Sequence, residues 1–151
     1  MNELPSETKT RSISSPIVEV PEMFLLLQIA QVIERRLEEA LDKEALSGPK
    51  FIALTKLVQA GESLPLSELA SRLTCVRSNI TQLVDRLEAE GLAHREEDPN
   101  DRRSVRASVT PLGRERQAAG ERRVEEVREA LSKALSQLDR GVLERTLEAL
   151  K

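Results

Sequence analysis

Six polar side chains between residues 77 and 86 carry the chemistry most readily read from this sequence: Arg77, Ser78, Asn79, Thr81, Gln82 and Arg86. Ile80, Leu83, Val84 and Leu87 recur at three-and-four spacing, so a helix over Arg77 to Glu90 that buries them turns the six polar residues outward. An outward arginine can donate two hydrogen bonds to guanine, Asn and Gln can pair with adenine, and hydroxyls can reach phosphates or base edges. From Arg72 to Arg86 the chain sets Arg72, Arg77 and Arg86 against Asp85 alone, a local basic excess in a chain of net charge -3. An ordinary amphipathic helix with a solvated polar face presents the same pattern, so this helix by itself leaves both readings open.

Other reactive side chains are sparse. Cys75 is the only cysteine and lies at an apolar position just before that helix, where a small buried hydrophobe is the first reading. A redox role is the second, because a helix N-terminus with Arg72 and Arg77 nearby favours a thiolate whose oxidation would displace the helix. His94 is the only histidine, and with one cysteine it completes no zinc site, so no metal is expected. There is no glycine-rich phosphate loop and no histidine beside a candidate nucleophile, and the carboxylates are dispersed, so neither an enzyme nor a cofactor is expected.

The elements that must position these residues follow from periodicity. At 151 residues the chain has room for one compact module and a few helices beyond it. Two phenylalanines are its only aromatics, so the core must be aliphatic. Residues 1–20, rich in Ser, Thr and Pro, read as a flexible arm. A long helix is expected over 22–46, stopped by Gly48-Pro49, and a second from Lys50 to Ala60, with Gly61 as its C-cap. A short strand at 63–66 precedes a short helix capped by Ser67, then a tight turn, then the helix that bears the polar six. After Gly91 the period changes to two: Leu92 to Glu96 and Ser104 to Val109 predict strands around a polar loop, with Val105, Ala107 and Val109 facing inward. Thr110-Pro111 opens a long helix, and Ser136 three residues before Asp139 predicts a capping box for a last one.

That succession is mainly α: a winged helix-turn-helix with a small β-hairpin wing, in which the helix after the turn enters the DNA major groove. The wing strip balances Glu96, Glu97, Asp98 and Asp101 against Arg95, Arg102, Arg103 and Arg106, which alone suits a solvated hairpin tip. However, Asp98-Pro99-Asn100-Asp101-Arg102-Arg103-Ser104, followed by Val109-Thr110-Pro111-Leu112-Gly113, closely resembles the wing signature of the MarR family of bacterial regulators. Ser78 to Glu88 with Gly91-Leu92 is similar to that family's recognition helix and its exit. The turn departs from the family pattern, carrying Thr74 and Val76 where glycine and a small hydroxyl residue are common. The resemblance implies an obligate homodimer and a wing-tip arginine, here Arg103 or its neighbour Arg102, entering the minor groove. Asp101 is then a brace that pairs with a nearby arginine.

The expected organisation is therefore an arm over 1–20, a dimerisation helix over 22–46, a winged DNA-binding lobe over 50–110 and dimerisation helices over 111–151. Apolar stripes on the outer helices exceed what one small lobe can cover, which favours pairing with an identical subunit. The expected function is sequence-specific transcription regulation on double-stranded DNA with a near-palindromic operator, as a repressor released by a small-molecule effector or an oxidant. A winged-helix module that binds protein instead of DNA is the competing class, supported by the acidic net charge. No apolar run approaches the roughly 20 residues a membrane span needs, and the first residues do not form a leader, so a cytoplasmic protein is expected.

Overall fold

The computed structural model describes residues 21–73 and 79–151, and only the backbone of Arg102. The arm over 1–20, together with Arg77, Ser78 and Cys75, lies outside the described residues.

Helix α1 (Glu22–Asp42) ends earlier than its apolar stripe suggests. The Ala45 N–H donates to the Asp42 carbonyl at 2.9 Å and the Leu46 N–H to the Leu41 carbonyl at 3.1 Å, with Ala45 left-handed at φ 55°. This Schellman-type closure satisfies the last carbonyls and turns Leu46 into the core. Helix α2 (Gly48–Ala60) starts at the pair expected to break the chain, since Pro49 in a first turn lacks only an N–H that has no intrahelical partner. Gly61 closes α2 at φ 72°, as expected. Strand β1 (Leu64–Pro65) runs directly into α3 (Leu66–Arg72), so Ser67 falls inside the first turn and is not the cap.

Helix α4 (Ile80–Ala89) has Asn79 as its N-cap, and the start expected at Arg77 lies outside the described residues. Strands β2 (Ala93–Asp98) and β3 (Asp101–Val109) pair antiparallel, and β1 joins the other edge of β3, giving the order β1-β3-β2. Helix α5 (Pro111–Leu135) is capped by Thr110, whose Oγ1 accepts from the Gly113 N–H at 3.0 Å and donates to the Gly91 carbonyl at 2.7 Å. The cap of α6 (Arg140–Ala149) is Asp139 itself, accepting from the Val142 N–H at 3.0 Å, and not Ser136.

Leu41, Leu54, Leu57, Leu69, Val84 and Leu87 form the centre of an aliphatic core to which Ala107 of β3 is sealed. Of the three β3 residues expected to face inward, Val105 is 39% exposed, because the wing extends beyond the core's edge. Gly113 lets α5 start against the strand backbone: a Cβ there would lie 1.9 Å from the Leu92 carbonyl oxygen. The first half of α5 packs on α2, and α1 runs alongside α5, so the N- and C-terminal helices are in contact. The architecture is thus mainly helical with a small antiparallel wing sheet, as the sequence predicts. Apolar residues remain exposed on the outer helices, among them Met23, Phe24 and Leu27 of α1 and Val142, Leu143 and Leu147 of α6. Among the described residues no helix is long and apolar enough to cross a membrane, and no three His, Cys, Asp or Glu side chains cluster as a metal site would.

Candidate nucleic-acid interface

On α4 the apolar spacing acts as expected: Leu83, Val84 and Leu87 are buried, and Thr81, Gln82 and Arg86 are exposed. Asn79 has another task. Its Oδ1 accepts from the Thr81 N–H at 3.1 Å and the Gln82 N–H at 3.4 Å, satisfying two of the amides that a helix start leaves without partners. A bidentate adenine contact needs that same oxygen as well as the amide N–H, so in this arrangement Asn79 offers donors only.

The wing is a tighter hairpin than the sequence suggests. Asp98 pairs with Asp101 and Glu97 with Val105, so residues 102–104 stand outside the ladder as a bulge. Bulges re-aim side chains, and this one sets Arg103 in solvent at the tip. Asp101 braces it through the main chain: its Oδ1 accepts from the Arg103 N–H at 3.0 Å. The carboxylate engaged with an arginine is Asp98, 3.0 Å from Arg106 Nη1. Arg106 also donates from Nε to Ser63 Oγ at 2.9 Å and from Nη2 to the Ser63 carbonyl, which fastens the wing to the segment before β1. The Asn100 N–H, at 2.9 Å from Asp98 Oδ1, and then the Arg106 guanidinium hold the Asp98 carboxyl below the usual carboxylate range.

Arg95 joins the two halves of this surface, and sequence reasoning counted it only as one wing charge. Its Nη2 donates to the Thr81 carbonyl at 2.9 Å and lies 2.5 Å from Asp85 Oδ1, and its backbone N–H donates to Glu88 Oε1 at 3.1 Å. Strand β2 is thereby tied to three residues of α4. The signal was present in the alternation, since Arg95 shares the face of buried Ala93.

These contacts redistribute the charge. Arg72, counted in the basic excess, pairs with Glu68, whereas Asp85, counted against it, is neutralised by Arg95. Asp98 is likewise occupied by Arg106, and among the described residues Arg86 and Arg103 make no ion pair.

Comparison with known proteins decides the family. The sequence profile of the MarR family matches residues 46–105, from the end of the α1–α2 connection into β3 of the wing. The chain is 33% identical over 101 residues to YsmB, an uncharacterised HTH-type transcriptional regulator of Bacillus subtilis (strain 168), covering 66% of this chain and 68% of YsmB. The chain belongs to the MarR family. It is accordingly a DNA-binding, helix-turn-helix transcriptional regulator and not an enzyme.

The MarR fold extends past the matched segment. A putative MarR-like transcription regulator from Bacillus cereus ATCC 10987 superposes with a TM-score of 0.70 at 21% identity, covering 85% of this chain and 93% of that one. CouR from Rhodococcus jostii RHA1, solved bound to p-coumaroyl-CoA, superposes with a TM-score of 0.67 at 24% identity, covering 86% and 89%. Both likenesses cover more of the chain than the profile match does.

Proposed function

We propose that this MarR-family chain works as a cytoplasmic homodimeric repressor that reads a near-palindromic operator and is released by a small molecule or an oxidant. The observation that supports it most is the pairing of an exposed polar face on α4 with the bulged tip of the wing. Arg95 and Arg106 hold the two on one lobe, and each also pairs with a nearby acid, Asp85 and Asp98. Thr81, Gln82 and Arg86 face the base edges of the major groove; Arg77 and Ser78 extend that set on sequence grounds, and Asn79 adds amide donors for phosphate. Arg103 or Arg102 enters the flanking minor groove, whose concentrated negative potential an arginine meets without a base-specific partner.

The exposed apolar residues of α1 and α6 are covered by the second subunit, dividing the chain into a lobe over 50–110 and dimerisation helices over 22–46 and 111–151. Two lobes set about 34 Å apart would fit successive major grooves. Effector response is supported by the likeness to CouR, whose structure holds p-coumaroyl-CoA.

Selection of the full-length protein against random and genomic duplexes, followed by titration of the enriched site in rising salt, tests the proposal. Enrichment of a two-fold symmetric motif with affinity falling steeply as salt rises is expected. Failure to retain any duplex would return the chain to the protein-binding class. The oxidant arm is tested at Cys75: peroxide should release DNA from the wild type and not from Cys75→Ser, and equal behaviour of the two removes that arm.

A further inference from the structure

Residues 43–47 connect α1, an outer helix, to α2 of the DNA-binding lobe. At Glu44 this connection is gripped twice by α5: Arg116 Nη1 donates to the Glu44 carbonyl at 2.9 Å, and Arg123 Nε donates to Glu44 Oε1 at 2.8 Å. The two arginines stand about two turns apart on one face of α5. Gly120 lies between them, and a Cβ there would come 3.0 Å from Leu46 and 2.8 Å from Phe51, so the end of the connection and the start of α2 rest directly on α5. Further along, Lys50 Nζ lies 2.5 Å from Oε1 of Glu90, the C-cap of α4. The connection is thus fixed to α5 on one side and leads to the end of the reading helix on the other.

Helix α5 is one unbroken helix whose first half packs on α2 and which also runs beside α1, so it belongs to the lobe and to the outer helices at once. The connection crosses between those two bodies a second time. Tilting the lobe requires the two crossings to move past each other, which breaks the backbone hydrogen bond of Arg116 or the half-buried pair of Arg123 with Glu44.

We propose that Arg116 and Arg123, by clasping Glu44, set the tilt of the DNA-binding lobe against the outer helices and thereby restrict the dimer to one spacing of operator half-sites. Both guanidiniums bond to the connection and act through it, which makes them positioning residues. Each base pair added between half-sites moves one of them by about 3.4 Å and turns it by about 35° around the duplex. A lobe held at one tilt cannot follow that change, whereas a lobe on a freed connection follows part of it. The spacing claim rests on the dimeric regulator reading above; the tilt does not depend on DNA.

Pulsed electron spin resonance on the full-length protein, labelled at Gln59→Cys on the exposed side of α2 in a Cys75→Ser background, reads the distance between the two lobes without DNA. The distance distribution should widen in Arg116→Ala/Arg123→Ala, and Arg123→Lys alone should stay close to the parent. On the selected duplex, adding or removing one base pair between half-sites should cost the parent about tenfold or more in affinity, the order of a mismatched base pair, and the double variant about threefold or less. An unchanged distribution in a double variant with wild-type circular dichroism would overturn the clasp. Affinity lowered evenly at every spacing would overturn the spacing claim and leave the arginines merely structural. Labels that showed no dipolar coupling would sink the dimer reading and the proposal with it. A dimer that retained no duplex would sink the regulator reading and the spacing claim together, while the width of the distribution would still decide whether the clasp sets the tilt.

Discussion

Removing the Arg95 guanidinium should separate the stability of the lobe from its ability to hold two grooves at once. Arg95→Ala deletes a charged-donor hydrogen bond to the Thr81 carbonyl and the close pair with Asp85. The hydrogen bond contributes about 1.5–3 kcal/mol. Asp85 is half-exposed, so after screening its pair adds only about 0.5 kcal/mol. Baring Asp85 and Glu88 three residues apart on α4 costs roughly another 0.3 kcal/mol. Against these, Arg95 Nε is buried without a hydrogen-bond partner among the described residues, and releasing it returns about 1 kcal/mol. The net loss is roughly 1–3 kcal/mol, a fall in Tm of about 3–10 °C for a chain this size. Unfolding in urea should be followed by circular dichroism, since the chain has neither Trp nor Tyr. DNA affinity, read by anisotropy of a labelled duplex, should fall about tenfold or more, because a freed Asp85 carboxylate now faces phosphate and the wing is no longer set against α4. Arg95→Lys should recover only part, as an ammonium keeps the charge but not the planar fork. An Arg95→Ala protein with lowered urea midpoint and undiminished DNA affinity would show that the tie is merely structural, and one unchanged in both would refute the reasoning altogether.

Arg103→Ala should weaken binding nearly uniformly across sequences and reduce the slope of log affinity against log salt by about one, whereas Gln82→Ala should change preference at one position by about 1–3 kcal/mol; parallel titrations on wild-type and mutated operators distinguish them. Gly113→Ala should prevent normal folding, since the added methyl meets the Leu92 carbonyl and backbone can move only by lifting α5 off the strand; a cooperative unfolding transition at the wild-type midpoint would contradict this. The Asp98 carboxyl titrates below its ordinary 3.8, so the unfolded chain takes up its proton first on acidification. Its contribution is therefore complete above that value and lost as pH falls through the lower folded one, and exchange protection of the Asn100 amide should hold at neutral and mildly acidic pH and collapse only below about pH 4.

Periodicity made the helices and the wing legible because a buried face repeats with the period of the element that carries it. The stops were harder, because the residues that end one element can begin the next. Gly48-Pro49, expected to stop α1, forms α2's first turn after α1 has already closed at Ala45, and Asp139 takes the cap that Ser136 was expected to provide. On the candidate interface, Thr81, Gln82 and Arg86 followed directly from the apolar spacing of α4. Asn79 did not, since a side chain at a helix start can cap or read, and only geometry decides which. The pairing of acids with arginines was illegible for a similar reason. Asp85 and Arg95 are ten residues apart, and Arg106 reaches Ser63 from 43 residues away, separations that no local pattern records.

An acidic net charge is compatible with a phosphate-binding surface once the carboxylates are followed to their partners. Asp85 on the reading helix and Asp98 at the wing turn are each held by an arginine that also bonds to a backbone carbonyl. The same contacts that cancel these charges fix the wing against α4 and against the segment before β1. Rigidity and local charge therefore come from one set of residues. A substitution that removes Arg95 or Arg106 changes both, and one at Arg86 or Arg103 changes charge alone. Net charge summed over the sequence cannot distinguish these cases, whereas the salt dependence of DNA binding can, since it counts only the cations that reach phosphate.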